Sequence, residues 1–155
     1  MSRRLKQAAV LLVGVFAAAQ LVRPGRANPP TDVSRTIQAH MGDAGGMVAV
    51  LDRACADCHS NRTVWPWYTQ VAPLSWLMAA AVREGRNAVN FSEWAAYPPG
   101  EQLTLLVASC HDVSEGKMPG RPWTLLHPET QLSAHDVETI CAAARQAEAG
   151  ASSRR

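Results

Sequence analysis

The sequence predicts a mostly α-helical protein, with one small domain preceded by an N-terminal apolar helix. The chain has 155 residues, of which 47% are hydrophobic and 18% charged, and this composition suits a single globular core. Apolar residues recur at helical spacing, as at Met47, Val50, Leu51 and Ala54. No alternation typical of a strand lasts more than four residues, so no substantial sheet is expected.

The first 22 residues have the pattern of a signal or anchor segment. Arg3, Arg4 and Lys6 precede an apolar run over residues 8–22, broken only by Gln20. Positive charge before an apolar stretch keeps its start on the cytoplasmic side while the following chain crosses the membrane. We expect a retained anchor in the cell membrane with the domain in the periplasm. Cleavage after Ala19 would instead release a soluble periplasmic protein.

The remaining chain divides by composition into a linker, a domain and a tail. Residues 23–46 are rich in Pro, Gly and polar side chains and predict an extended linker. Residues 47–149 form the predicted domain, and residues 150–155 a disordered tail. Within the domain, helices are predicted over residues 47–57, 76–84, 101–113 and 133–148. The last begins with a capping-box pattern, since Asp136 follows Ser133 by three residues.

Charge and motifs exclude several functional classes. Residues 1–26 hold five basic residues and no acidic one, whereas the rest holds 10 basic and 13 acidic residues. A mildly acidic domain does not suit binding to nucleic acid, which needs a basic surface. The sequence contains no P-loop, no G-x-G-x-x-G and no evident nucleophile–base pair. We therefore do not expect an enzyme.

One motif carries chemistry: Cys55-Ala56-Asp57-Cys58-His59 is C-x-x-C-H, the attachment sequence of c-type haem. Two thiols three positions apart can each add to a vinyl group of the porphyrin, and the adjoining imidazole can bind the iron. A thioredoxin-like redox pair is an alternative, but no βαβ pattern surrounds the motif. Half of a zinc site is another, but no second C-x-x-C or paired-histidine cluster follows.

Met118 is the best candidate for a second axial ligand to the iron. It lies in the polar Glu115–Pro119 loop, where a structural methionine is unexpected, and Pro119 would stiffen that loop. Ligation by Met and His suits electron transfer. The alternatives are an open iron or one of the other histidines, which are His40, His111, His127 and His135.

The chain resembles a family of bacterial haem-binding domains that are c-type and membrane-anchored. The resemblance rests on CADCHSNRTVWPWYTQVAPLSW, EGRNAVNFSEW, the QLVRPGRANPP linker, the EGKMP loop and LLHPETQLS. It implies one covalent haem c on Cys55 and Cys58, with His59 as proximal and Met118 as distal ligand. Many members carry a histidine where this chain has Ala81, which favours Met118 and weakens any peroxidase-like activity. We expect a small cytochrome c-like fold around one haem.

Other residues could complete the site. Trp67 and Tyr68 belong to an aromatic set that could form a wall at the haem edge or simply the core, together with Trp65, Trp76 and Trp94. Arg62 and Arg86 are candidate partners for the haem propionates. The carbonyl of Pro73 could accept the proton of the ligand histidine. Cys110 and Cys141 remain after haem attachment, and we predict that they form a disulfide.

The sequence favours one-electron transfer at the outer face of the cytoplasmic membrane, between redox partner proteins that it does not identify. The alternative is a haem-based sensor or ligand-binding module, in which Met118 leaves the iron easily or never binds it. A third possibility is a small subunit that docks on a larger redox complex through its acidic face.

Overall fold

The computed structural model describes residues 2–153, which form eight α-helices, short 3₁₀ turns and no strand. The prediction of a mostly α-helical fold is therefore confirmed. The helices are α1 (Arg3–Ala19), α2 (Ile37–Met41), α3 (Met47–Ala54), α4 (Ala56–His59), α5 (Leu74–Ala88), α6 (Pro99–Ser114), α7 (Arg121–Leu126) and α8 (Ala134–Ser152).

The core lies where α3, α6 and α8 meet the turn Phe91–Ala96. Met47, Trp94 and Ile140 are almost completely buried there, and Leu106 packs against them. Cys110 of α6 and Cys141 of α8 form a disulfide. In the chain-entropy account, closing a loop of this length contributes about 3–4 kcal/mol to stability. The disulfide thus holds α6 against α8.

The last helix begins at the capping box that the sequence predicts. The Ser133 hydroxyl accepts a hydrogen bond from Asp136 N at 3.1 Å, and the Asp136 carboxylate accepts one from Ser133 N at 2.8 Å. The helix continues to Ser152, because its alanine-rich sequence favours helix past Gly150. Of the predicted disordered tail, residues 150–152 are therefore helical, and residues 154 and 155 lie outside the described part of the chain.

The core begins earlier in the chain than the sequence predicts. Residues 23–31 are extended, but the predicted linker then folds into the 3₁₀ turn Val33–Arg35 and α2. Ile37 is completely buried, and Thr36 caps its helix by accepting from Ala39 N. This helix has five residues, and its two large apolar side chains, Ile37 and Met41, are too few for a periodic signal, so pattern reasoning misses it.

The prediction of a membrane anchor over residues 1–22 is wrong. The helix α1 has 17 residues, and nowhere in residues 2–153 is a helix both long and apolar enough to cross a bilayer. At 1.5 Å per residue α1 spans about 25 Å, whereas the hydrocarbon core is about 30 Å thick. Arg3, Arg4 and Lys6 lie within α1, which shortens its apolar part further. The predicted location at the cell membrane is corrected accordingly.

Candidate functional site

A mostly apolar cavity of about 140 Å³ brings three of the predicted site residues together. Cys55, His59 and Met118 all line it. Its remaining lining comes from α3, the end of α5, the turn that follows α5, α6 and α8, and consists of Leu51, Ala88, Val89, Phe91, Leu105, Ala108, Ser109, Asp112, Val113 and Ile140. The site therefore joins residues 63 positions apart in the chain.

The His59 ring is fixed in orientation by a backbone carbonyl. Its Nδ1 lies 3.2 Å from the carbonyl oxygen of Val89 and donates to it, which leaves the Nε2 lone pair available to a metal. Burial lowers the pKa of His59, so the neutral imidazole needed for ligation is favoured. The prediction that the carbonyl of Pro73 has this role is wrong. Val89 has it because α5 ends at Ala88 and the chain turns back over α4.

The two thiols of the motif are held in their protonated form. Burial raises the pKa of Cys55 to about 12 and that of Cys58 to about 11. A thiol-redox centre needs a lowered pKa, because the thiolate is the nucleophile. These environments therefore do not favour the alternative of a thioredoxin-like pair.

The motif is pressed against α5 at one glycine. A Cβ atom at Gly85 would lie 2.5 Å from the carbonyl oxygen of Cys58 and 3.0 Å from its carbonyl carbon. Real Cβ atoms do not approach backbone so closely, so α4 and α5 can pack this way only because residue 85 has no side chain. Gly85 is thus part of how the fold places Cys58 and His59.

Met118 lies at the cavity in a loop that α6 holds. The amides of Lys117 and Met118 both donate to the carbonyl of Asp112, at 2.9 and 3.3 Å. The Met118 side chain lines the cavity although 45% of its residue surface is exposed. Among the five histidines of the chain, His59 alone lines this cavity, so a histidine as the second ligand has no geometric support.

A zinc site has no support either. Within residues 2–153, no group of three or more His, Cys, Asp or Glu side chains is placed to hold a metal ion. Structural zinc sites need four such ligands, and Cys55, Cys58 and His59 do not form even a set of three.

The two arginines predicted to bind propionates do not line the cavity. Arg62 forms an ion pair with Asp52 at 2.6 Å, and both side chains are about half exposed. Arg86 instead ties the motif to the extended N-terminal segment. It donates to the carbonyls of Ser60 and Ala27 at 2.8 and 3.3 Å, to Asn28 Oδ1 at 2.8 Å and to Thr63 Oγ1 at 2.8 Å.

We expect Arg86→Ala to destabilise the fold by about 2–3 kcal/mol, because it leaves several partly buried acceptors without a donor. Arg62→Ala is the matched control, and its loss should stay below about 1 kcal/mol, as for exposed ion pairs. Urea unfolding of the two variants measures the difference. Equal losses of unfolding free energy would mean that the hydrogen bonds of Arg86 do not stabilise the fold more than an exposed ion pair does.

The aromatic residues predicted to form a wall at the haem edge do not line the cavity. Trp67 is 79% exposed, and Trp94 is buried in the core rather than in the cavity. Tyr68 lies outside the cavity and its hydroxyl contacts His127 Nε2. The aromatic residue at the cavity is Phe91, whose ring centroid lies 5.9 Å from that of His59. Nothing in the sequence marks Phe91, since its contact depends on how the chain turns after α5.

The cavity is smaller than the roughly 300–1,000 Å³ of most cofactor sites, but its walls are mainly apolar, as theirs are. Its chemistry suits a haem. An imidazole and a thioether line it, and both are groups that can bind haem iron. A model of a haem-binding domain family matches residues 14–146. No curated protein and no solved structure matches the chain.

Proposed function

This chain belongs to the haem-binding domain family, and from that premise we propose that it holds one haem c covalently and carries single electrons between redox proteins. One observation carries the proposal: Cys55, His59 and Met118 line the same cavity. The first two belong to the C-x-x-C-H motif, and the third comes from a loop 59 residues beyond His59.

The two cysteines of the motif would attach the cofactor. Each thiol would add across one vinyl group, forming a sulfur–carbon bond and passing the thiol hydrogen to the adjoining carbon, so no oxidant would be needed. Such links hold the cofactor in a small domain whose core is modest. The environment that keeps Cys55 and Cys58 protonated suits residues that do not act as redox thiols themselves.

The protein's own part in electron transfer is to fix two ligands and to exclude water. When bound, the haem iron supplies a couple that gains or loses one electron. His59 offers Nε2 because Val89 holds Nδ1. Met118 offers a neutral thioether, which raises the reduction potential relative to ligands richer in electrons. Leu51, Phe91 and the other apolar lining residues keep solvent from the cavity.

A haem-based sensor is the second candidate, and the exposure of Met118 favours it. The residue is 45% exposed in a loop, so a small ligand could displace its thioether. Carbon monoxide distinguishes the two functions. Rapid binding to the ferrous protein at neutral pH would support a sensor, and no rapid binding would support an electron carrier.

We expect Met118→Ala to abolish the weak red-end absorption band of the ferric protein, because that band arises from methionine bound to ferric haem. The protein is produced together with a haem-attachment system, and its optical spectrum is recorded. Met78→Ala is the matched control, since Met78 on α5 is also partly buried but does not line the cavity. A band that persists in Met118→Ala would refute Met118 as ligand.

A further inference from the structure

The short helix α7, which follows Met118, is not held by apolar burial. It has no buried residue, and Leu125 and Leu126 are 80% and 55% exposed. Its first turn is continuous with Gly120, whose carbonyl accepts from Trp123 N at 2.9 Å. Because Gly120 is two positions from Met118, a movement of α7 also moves the chain next to Met118. Polar contacts at the far end of the helix must fix its position.

These contacts converge on His127, the residue that follows α7. Its Nδ1 donates to Glu129 Oε1 at 3.0 Å, which leaves Nε2 as the acceptor for the hydroxyl of Tyr68. One face of the imidazole stacks on the indole of Trp123, with ring centroids 3.8 Å apart and 17° between the planes. Glu129 thus selects the tautomer, and Trp123 the ring orientation, that Tyr68 requires.

The turn that carries Tyr68 is connected by hydrogen bonds to the C-x-x-C-H motif. It lies in the turn Trp67–Gln70, and the chain leading to that turn is bound to Asp57 between the two cysteines of the motif. The carboxylate of Asp57 accepts from Val64 N at 2.9 Å, and its carbonyl accepts from Thr63 Oγ1 at 2.7 Å. The Tyr68–His127 contact consequently joins the segment that carries His59 to the segment that follows Met118.

A second contact reaches the same segment from the other side of the motif. Arg53, two residues before Cys55, donates to the carbonyls of Glu129 and Gln131 at 2.6 and 3.1 Å. The chain beyond Met118 is therefore attached on both flanks of the C-x-x-C-H motif. Of the two attachments, the one through Tyr68 acts on α7 directly.

We propose that Tyr68 is a positioning residue, which holds the Met118 loop at the haem through its hydrogen bond to His127. This inference rests on the proposed ligation by His59 and Met118. A thioether is a weak ligand, so the fraction of protein with Met118 detached depends on how firmly its loop is held. The hydroxyl of Tyr68 contributes to that restraint without touching the haem cavity.

The test compares a tyrosine variant of the haem-loaded protein with a control variant. Tyr68→Phe removes one hydroxyl and should speed carbon monoxide binding to the ferrous form roughly threefold to tenfold, the effect of one lost hydrogen bond. It should also weaken the red-end band of the ferric form. Thr139→Val is the control for the loss of one hydroxyl, because the Thr139 hydroxyl donates to the His135 carbonyl at 2.8 Å within α8 and touches nothing on α7. Its binding rate should equal that of the unmodified protein.

A second variant covers the case in which Tyr68→Phe does not fold. Glu129→Ala changes an exposed side chain and removes the acceptor that selects the His127 tautomer, so it should shift both readouts in the same direction. If the unmodified protein shows the band and neither variant changes it or the binding rate, the role of Tyr68 is overturned while the proposed function stands. If the unmodified protein itself lacks the band, the proposed function fails, and the role of Tyr68 fails with it.

Discussion

A chain in which Cys55 and Cys58 are both replaced by serine is expected to lose all haem under denaturing extraction, whereas the unmodified chain keeps it. Serine hydroxyls do not add to vinyl groups as thiols do, so no covalent link can form. His59 is unchanged in this variant, and reversible haem binding in the cavity is therefore expected to persist in part. The measurement is haem staining of the protein on a denaturing gel, together with its intact mass.

The second pair of cysteines provides the control for this experiment. Cys110→Ser/Cys141→Ser removes the same number of cysteine sulfurs but breaks the disulfide between α6 and α8 instead. It should lower stability and leave the haem covalently attached. Haem that stays on the Cys55/Cys58 double variant after denaturation would show that the motif is not the attachment site. Haem that leaves the unmodified chain would show that the link is not covalent.

Gly85→Ala is expected to destabilise the folded protein by about 1–3 kcal/mol, in spite of alanine's higher helix propensity. Replacing a helical glycine by alanine usually gains up to about 1 kcal/mol. Here the new methyl group would lie 2.5 Å from the carbonyl oxygen of Cys58, and backbone cannot move aside as a flexible side chain can. Overpacking of this kind costs more than the propensity returns. Denaturant unfolding of the haem-loaded protein measures the net effect.

A substitution at a second helical glycine, Gly100, measures the gain in helix propensity without a steric clash. Gly100 lies in the first turn of α6, and a Cβ placed there meets no atom within 4 Å. Gly100→Ala should therefore be neutral or slightly stabilising. We further expect a lower yield of attached haem for Gly85→Ala, because the displaced residue adjoins His59. If the two variants were equally stable, α5 would not constrain the motif as described.

Local signals in the sequence account for the elements that were predicted well. The capping box at Ser133 and Asp136 is visible without any tertiary contact, because its hydrogen bonds join residues three positions apart. The periodic apolar residues of α3 likewise predict both the helix and its buried face. By contrast, the basic residues before the apolar run suggested an anchor, although they belong to the same 17-residue helix.

The contacts that sequence reasoning missed join distant parts of the chain. Val89 is 30 residues from the imidazole it orients, and Tyr68 is 59 residues from His127. The guanidinium of Arg86 is the kind of group that binds a propionate, but its acceptors are backbone and side-chain oxygens of other segments. A residue type indicates which bonds a side chain can make, and the packing of helices decides which partner comes within reach.

The C-x-x-C-H motif was sufficient to predict haem binding, because it places two thiols and an imidazole at short sequence spacing. Ligation by His59 and Met118 stays a prediction. The helical class followed from periodicity, which is a local property as well. Whether those ligands share a cavity depended on the crossing of α4 and α5 at Gly85 and on the return of the chain after α6. Such crossings are set by the summed packing of many side chains, and no short stretch of sequence encodes them.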